Sequence, residues 1–151
     1  MPPTRWFEDF AVGDTATFGD HEVTEQEIIR FATEYDPQSF HTDPEAARAS
    51  IFGGLIASGW NTAAIMMRAL VDHYVSAESS LGSPGIDELR WTQPVRPGDR
   101  LRVRVTVTET IPSRSKPDRG VVRGFTEVLN QRGEVVMTMK GMTMHRARPK
   151  A

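Results

Sequence analysis

The second half of the chain carries the clearest alternation of apolar and polar residues. Over positions 101–108 every odd position is leucine or valine and every even position is arginine or threonine. A period of two is typical of a strand with one buried and one solvated face. The pattern therefore predicts a strand over 101–108, preceded by a turn at 97–99.

Other stretches have the composition of strands but less regular alternation. They lie at 85–95, 121–129 and 135–144, with a plausible hairpin loop at 130–133, an exposed loop at 113–120 and an early short strand at 15–18. These elements predict a mostly antiparallel sheet of about five strands.

The first helix signal begins at Thr24, which can cap a helix while Glu27, three residues later, closes a capping box. Apolar residues then follow helical spacing through position 35. Pro37 disfavours helical geometry at the preceding residue, so we expect the helix to end at Asp36.

Residues 36–44, DPQSFHTDP, form the connector to a second, short helix over 44–48, for which Asp43 is the predicted cap. A third helix is predicted over 60–75. It is apolar on nearly every side, which implies burial all round.

One long apolar helix and an antiparallel sheet leave few ways to pack. We expect an α+β fold in which a curled sheet wraps around the central helix, with residues 1–151 as a single domain. The outer face and edges of such a sheet favour a second copy of the chain, so a homodimer or higher homo-oligomer is expected.

Composition narrows the class of protein. The chain has 151 residues, 38% of them hydrophobic and 25% charged, with a net charge of −2 and no cysteine. The charge argues against nucleic acid as a partner, and the missing cysteines fit a reducing compartment. No apolar run approaches the length of a membrane span. We expect a cytoplasmic protein without a membrane partner.

The connector is unusually rich in ionisable side chains for a turn. Asp36 can accept hydrogen bonds within the turn and His41 can stabilise the loop, and the alternative is that these ionisable side chains carry chemistry. A metal site is not expected, because no third ligand stands near His41 and Asp43 in the sequence.

Three stretches, at 35–44, 52–59 and 93–99, resemble the MaoC-like (R)-specific enoyl-CoA hydratases, and the similarity covers nearly the whole chain. This resemblance implies a hot-dog fold. It also implies that Asp36 and His41 form the hydratase motif, and that the amide of Gly59, which opens the central helix, polarises the substrate carbonyl.

The chain departs from the family pattern at a few positions. Gln38 replaces an asparagine, Ser39 a proline, Ser58 a histidine and, in the central helix, Met67 a serine. These changes bear on rate and substrate more than on reaction type. We predict Gln38, Ser58 and Trp60 as substrate-binding residues, with Trp60 beside the acyl chain.

The activity implied is reversible hydration of a trans-2-enoyl thioester to the (R)-3-hydroxyacyl thioester, on coenzyme A or acyl carrier protein, with no prosthetic group. Hot-dog thioesterases and non-catalytic acyl-binding subunits of heteromeric dehydratases are the alternatives. Three arginines on one strand face, Arg100, Arg102 and Arg104, are either a solvated surface or a contact for coenzyme A phosphates.

Overall fold

The computed structural model describes residues 3–151. Along the chain the elements are a 3-10 helix (Phe7–Asp9), β1 (Thr15–Glu22), α1 (Glu25–Tyr35), α2 (Ser39–Thr42), α3 (Pro44–Arg48), α4 (Gly59–His73), β2 (Ile86–Trp91), β3 (Arg100–Pro112), β4 (Arg119–Leu129) and β5 (Val135–Arg146). No helix within the described range is long and apolar enough to cross a membrane.

The five strands form one antiparallel sheet in the order β1-β3-β4-β5-β2. Two hairpins, β3–β4 and β4–β5, make its centre, and β2 pairs with β5 although it precedes β3 in the chain. The predicted alternation is confirmed, because the apolar residues of 101–107 are each at most 5% exposed. The predicted antiparallel sheet and α+β class are therefore confirmed.

Helix α4 packs against the buried face of this sheet, where it contacts β1 and β3. Met66 and Leu70 on the helix belong to the same apolar core as Val103 and Met137 on the strands. Full burial of each such side chain contributes about 1.5–3 kcal/mol to the free energy of unfolding. This packing holds α4, and with it the residues at its start, against the sheet.

The prediction that the central helix is buried on every side is wrong. Trp60, Met67 and Val71 are 59%, 47% and 51% exposed, and their spacing puts them on one face of the helix. The reason is geometric, because a single sheet layer can cover only one side of a helix. These three residues are called the α4 stripe below.

Most predicted boundaries lie within about four residues of the observed ones. Strand β1 continues to Glu22 and β3 to Pro112, whereas β2 already ends at Trp91. Strand β4 starts at Arg119 inside the predicted loop, and the connector contains the one-turn helix α2. The predicted caps are confirmed for α1 and α3, where Thr24 and Asp43 accept hydrogen bonds from backbone amides.

The capping box predicted for α1 does not form. Thr24 accepts from the Glu27 amide at 3.1 Å, but the Glu27 carboxylate accepts from His21 on β1 at 2.8 Å instead of returning to the cap. The Glu27 carboxylate therefore pairs with a residue of another element instead of with the backbone at the start of its own helix.

His145 is a buried histidine far from the connector. It is 2% exposed, its Nδ1 has no hydrogen-bond partner within residues 3–151, and its ring packs against Phe10 at 4.5 Å. Burial, with a smaller contribution from the charge of Arg5, lowers the pKa of His145 to about 4.

We expect this histidine to make folding sensitive to mild acid. Between about pH 6.5 and pH 4 the unfolded chain binds a proton on His145 that the folded chain does not. As the pH decreases through this range, the free energy of unfolding therefore falls by up to about 1.4 kcal/mol per pH unit. His145→Phe should remove this contribution in urea unfolding measured across that range. His73→Gln, at the exposed end of α4, is the control and should keep the wild-type slope. Identical slopes for His145→Phe and wild type would contradict the prediction.

Candidate active site

Asp36 and His41 lie five residues apart in the connector that follows α1. Asp36 directly follows α1, and α2 turns the chain back so that His41 points at it. Asp36 Oδ2 lies 3.3 Å from His41 Nε2, with the side chains 19% and 6% exposed. The structure therefore brings the sequence-predicted pair together.

The ring of His41 is held in one orientation. Its Nδ1 lies 2.7 Å from the carbonyl oxygen of Ile56, and since a carbonyl can only accept, Nδ1 carries the hydrogen. This leaves Nε2 as the nitrogen that faces Asp36. In the described part of the chain no group of three or more acidic or histidine side chains is placed to hold a metal ion.

Two side chains support the Asp36 carboxylate. Gln38 Nε2 donates to Oδ1 at 2.7 Å, and Ser58 Oγ donates to Oδ2 at 2.8 Å. Burial acts to raise the pKa of Asp36, but these two hydrogen bonds and the nearby His41 together hold it below its ordinary value. Asp36 is consequently a carboxylate at neutral pH.

Ser58 joins this carboxylate to the central helix. As the N-cap of α4 its Oγ also accepts from the Trp60 amide at 3.2 Å, and the side chain is fully buried. Although Met67 supplies no hydroxyl in the middle of the helix, Ser58 supplies one to Asp36 from the helix start.

Gly59 opens α4 next to the pair. Among residues 3–151 no group accepts a hydrogen bond from its amide. Free amides at a helix N-terminus, together with the helix dipole, favour negative charge. The Gly59 amide is therefore suited to an oxyanion.

Trp91 is a site residue that the sequence analysis missed. Its indole lies against Gly59 and donates to the Gly59 carbonyl at 2.8 Å. Trp91 is the last residue of a strand at the sheet edge, 32 positions away, and nothing local to either residue indicates the contact.

A cavity of about 310 Å³ is lined by His41 and Gly59, together with Thr62, Trp91 and Val95. A second cavity of about 320 Å³ lies between α4 and the sheet, with a mostly apolar wall that includes Trp60, Met67 and Leu70. The rings of Trp60 and Trp91 meet edge to face with their centroids 5.1 Å apart, and each ring lines one of the two cavities.

The predicted substrate-binding residues fall into two groups. Trp60 lines the apolar cavity, whereas Gln38 and Ser58 use their side chains on Asp36. Contact of any of them with substrate stays a prediction.

The arginine face of β3 is largely neutralised. Arg100 pairs with Asp20 and Glu22, and Arg104 pairs with Glu127. These ion pairs favour a solvated, salt-bridged sheet surface over a phosphate contact.

The model of the MaoC like domain matches residues 9–128. The chain belongs to this family. A MaoC-like dehydratase from Rhodospirillum rubrum has 48% identity and a TM-score of 0.91, covering 97% of this chain and 100% of that one. An R-hydratase from Pseudomonas aeruginosa has 27% identity and a TM-score of 0.77, covering 95% of this chain and 86% of that one.

A curated relative, 3-hydroxyacyl-thioester dehydratase Z of Mycobacterium tuberculosis, is 35% identical over 53% of this chain and 54% of its own. A second M. tuberculosis protein, described as a double hotdog fold, has a TM-score of 0.82 at 14% identity, covering 97% of this chain and 46% of that one. The hot-dog fold is confirmed, and membership of the MaoC-like family supports a hydratase or dehydratase activity.

The contact of Ser58 with Asp36 makes a testable prediction for this MaoC-like protein. Ser58→Ala removes one of the two donors to the carboxylate, so the pKa of Asp36 should rise toward its ordinary value. Carbon-13 NMR titration of the aspartate carboxyl groups would measure the change. Thr24→Ala is the matched control, since it also removes a helix cap at a cost of about 1 kcal/mol but leaves Asp36 untouched. An unchanged Asp36 titration in Ser58→Ala would contradict the prediction.

Proposed function

We propose that the protein hydrates trans-2-enoyl thioesters reversibly to (R)-3-hydroxyacyl thioesters, with coenzyme A or acyl carrier protein as the thiol carrier. The observation that carries the proposal is the 3.3 Å contact of Asp36 and His41 beside the Gly59 amide, which has no acceptor among residues 3–151. The R-hydratase and the 3-hydroxyacyl-thioester dehydratase among the similar proteins support the same reaction class.

The reaction needs a base, an acid and a site for the enolate-like oxygen. Asp36 and His41 hold one water between them and the substrate. They deliver its hydroxide to carbon 3 and its proton to carbon 2, on the same face of the double bond. The lowered pKa of Asp36 keeps this group in the basic form, and the hydrogen bond to Ile56 keeps His41 Nε2 turned toward the water.

The third requirement falls to Gly59. As the thioester carbonyl takes up negative charge, the Gly59 amide donates to its oxygen. Removal of one such donor typically costs about a hundredfold or more in rate. Because His41 and Gly59 line the same cavity, the carbonyl and the double bond can both lie within it.

The acyl chain runs along α4 in the apolar cavity. That cavity begins beside Trp60 and continues past Met67 and Leu70. Its volume and apolar wall favour an alkyl chain over a polar group. No prosthetic group takes part.

Substitution of the pair tests the reaction. Asp36→Asn and His41→Ala should each lower the hydration of trans-2-enoyl-CoA by about a hundredfold or more, followed as loss of enoyl absorbance. Asp43→Asn is the control in the same connector, because asparagine also caps a helix, and it should retain activity.

The outcomes separate the candidate functions. Thiol release without hydration by the wild type would favour a thioesterase. Hydration that survives both substitutions would refute the assigned roles. If the wild type shows neither hydration nor thiol release on acyl chains of short and medium length, a non-catalytic subunit is favoured.

We also propose that the protein is a homodimer in which the α4 stripe is covered. The stripe is apolar and exposed in the single chain, and its Trp60 contacts Trp91 of the edge strand β2. Such a surface in water favours self-association. A twofold contact would bury it on both copies.

Charge placed on the stripe tests the dimer. Val71→Arg should weaken association by at least about tenfold, since it replaces a side chain whose burial contributes about 1.5–3 kcal/mol. Sedimentation velocity over a range of concentrations measures the change. Gln26→Arg introduces the same side chain on the exposed surface of α1 and should leave the dimer intact. A wild type that sediments as a monomer would rule out the proposal.

A further inference from the structure

The indole of Trp91 occupies the space where any other residue at position 59 would place its Cβ. A Cβ built on Gly59 would lie 2.3 Å and 2.6 Å from atoms of that ring, far inside contact distance. The ring is therefore in direct contact with the Gly59 Cα. Glycine at position 59 is required by the protein's own tryptophan, whatever the substrate requires.

The same indole makes a directed contact with the peptide unit that follows. Nε1 donates to the Gly59 carbonyl at 2.8 Å, and the ring edge meets Trp60. Glycine is the residue with the greatest backbone freedom. A ring against its Cα and a donor on its carbonyl together restrict that freedom, and with it the direction of the Gly59 amide.

Trp91 is itself held by the sheet. It ends β2 and pairs with Met137 of β5, which is fully buried. The position of the indole is thus set by a strand ladder and not by a loop. Strand and helix start are joined at the wall of the cavity that His41 also lines.

From this geometry we infer that Trp91 is a positioning residue, which aims the Gly59 amide at the thioester carbonyl. The inference rests on the proposed hydration. Trp91 acts through Gly59, by ring contact and by its indole N–H. Electrostatic stabilisation depends on donors that are fixed before charge develops, so loosening this donor should lower the rate of the chemical step.

Kinetics with two variants test the role of the N–H and the ring. Trp91→Phe keeps an aromatic ring but loses the donor, and kcat should fall about fivefold. Trp91→Ala also removes the ring, and kcat should fall by about a hundredfold. We expect KM to stay within about twofold for Trp91→Phe. Trp6→Phe, which removes a tryptophan distant from the site, should show wild-type kinetics.

A purely structural tryptophan would behave differently. Its replacement would lower the melting temperature and the active fraction together, and the kcat of the folded fraction would stay at the wild-type value. That result, or wild-type kcat in Trp91→Phe, would overturn the inference.

A second experiment tests the contact without any measurement of activity. Gly59→Ala should destabilise the fold strongly in the wild-type background, because the new methyl group meets the indole. In the Trp91→Ala background the same substitution should destabilise it much less. Urea unfolding of the two single variants and the double variant gives the coupling between the sites.

Additive effects in this cycle would refute the steric part of the inference. Coupling in the unfolding cycle, combined with no hydration by the wild type, would refute the proposed function while the contact stands. Coupling together with loss of kcat in Trp91→Phe supports both. The two failures can therefore be told apart.

Discussion

The packing of one face of α4 against the curled sheet sets the distances in the site. The buried residues of the helix pack in one core with those of β3, so Ser58 and Gly59 at its start are held in place beside the connector. Side chains that are close-packed in a core are displaced only slightly by thermal motion. The apolar core thus holds a polar site at its edge.

The side chains of Asp36 and His41 have hydrogen-bond partners inside the protein, which lowers the cost of burying them. Asp36 accepts from Gln38 and Ser58, and His41 donates to Ile56. A buried carboxylate without such donors would have a raised pKa and would be protonated over a wider range of pH. The supporting bonds therefore maintain both the fold of the connector and the charge state that the proposed chemistry needs.

The two tryptophans join the parts of the molecule that the reaction would use. Trp91 lies in the cavity wall beside His41, and Trp60 lies in the wall of the apolar cavity. The exposed face of α4 begins at Trp60 as well. In the proposed reaction and the proposed dimer, the substrate carbonyl, the acyl chain and a second copy of the chain would all meet near the start of α4.

The sequence by itself determined the local structure and predicted Asp36 and His41 as the candidate pair. Strand periodicity, the cap at Thr24, the helix end before Pro37 and the Asp43 cap depend on neighbours a few residues away, and the motif at 36–44 carried the resemblance. Only the tertiary structure decided which groups support the pair. Ser58 reaches Asp36 across 22 positions and Trp91 reaches Gly59 across 32. It also decided that one face of α4 stays exposed, because coverage of a helix depends on how many layers pack around it, which no local pattern encodes.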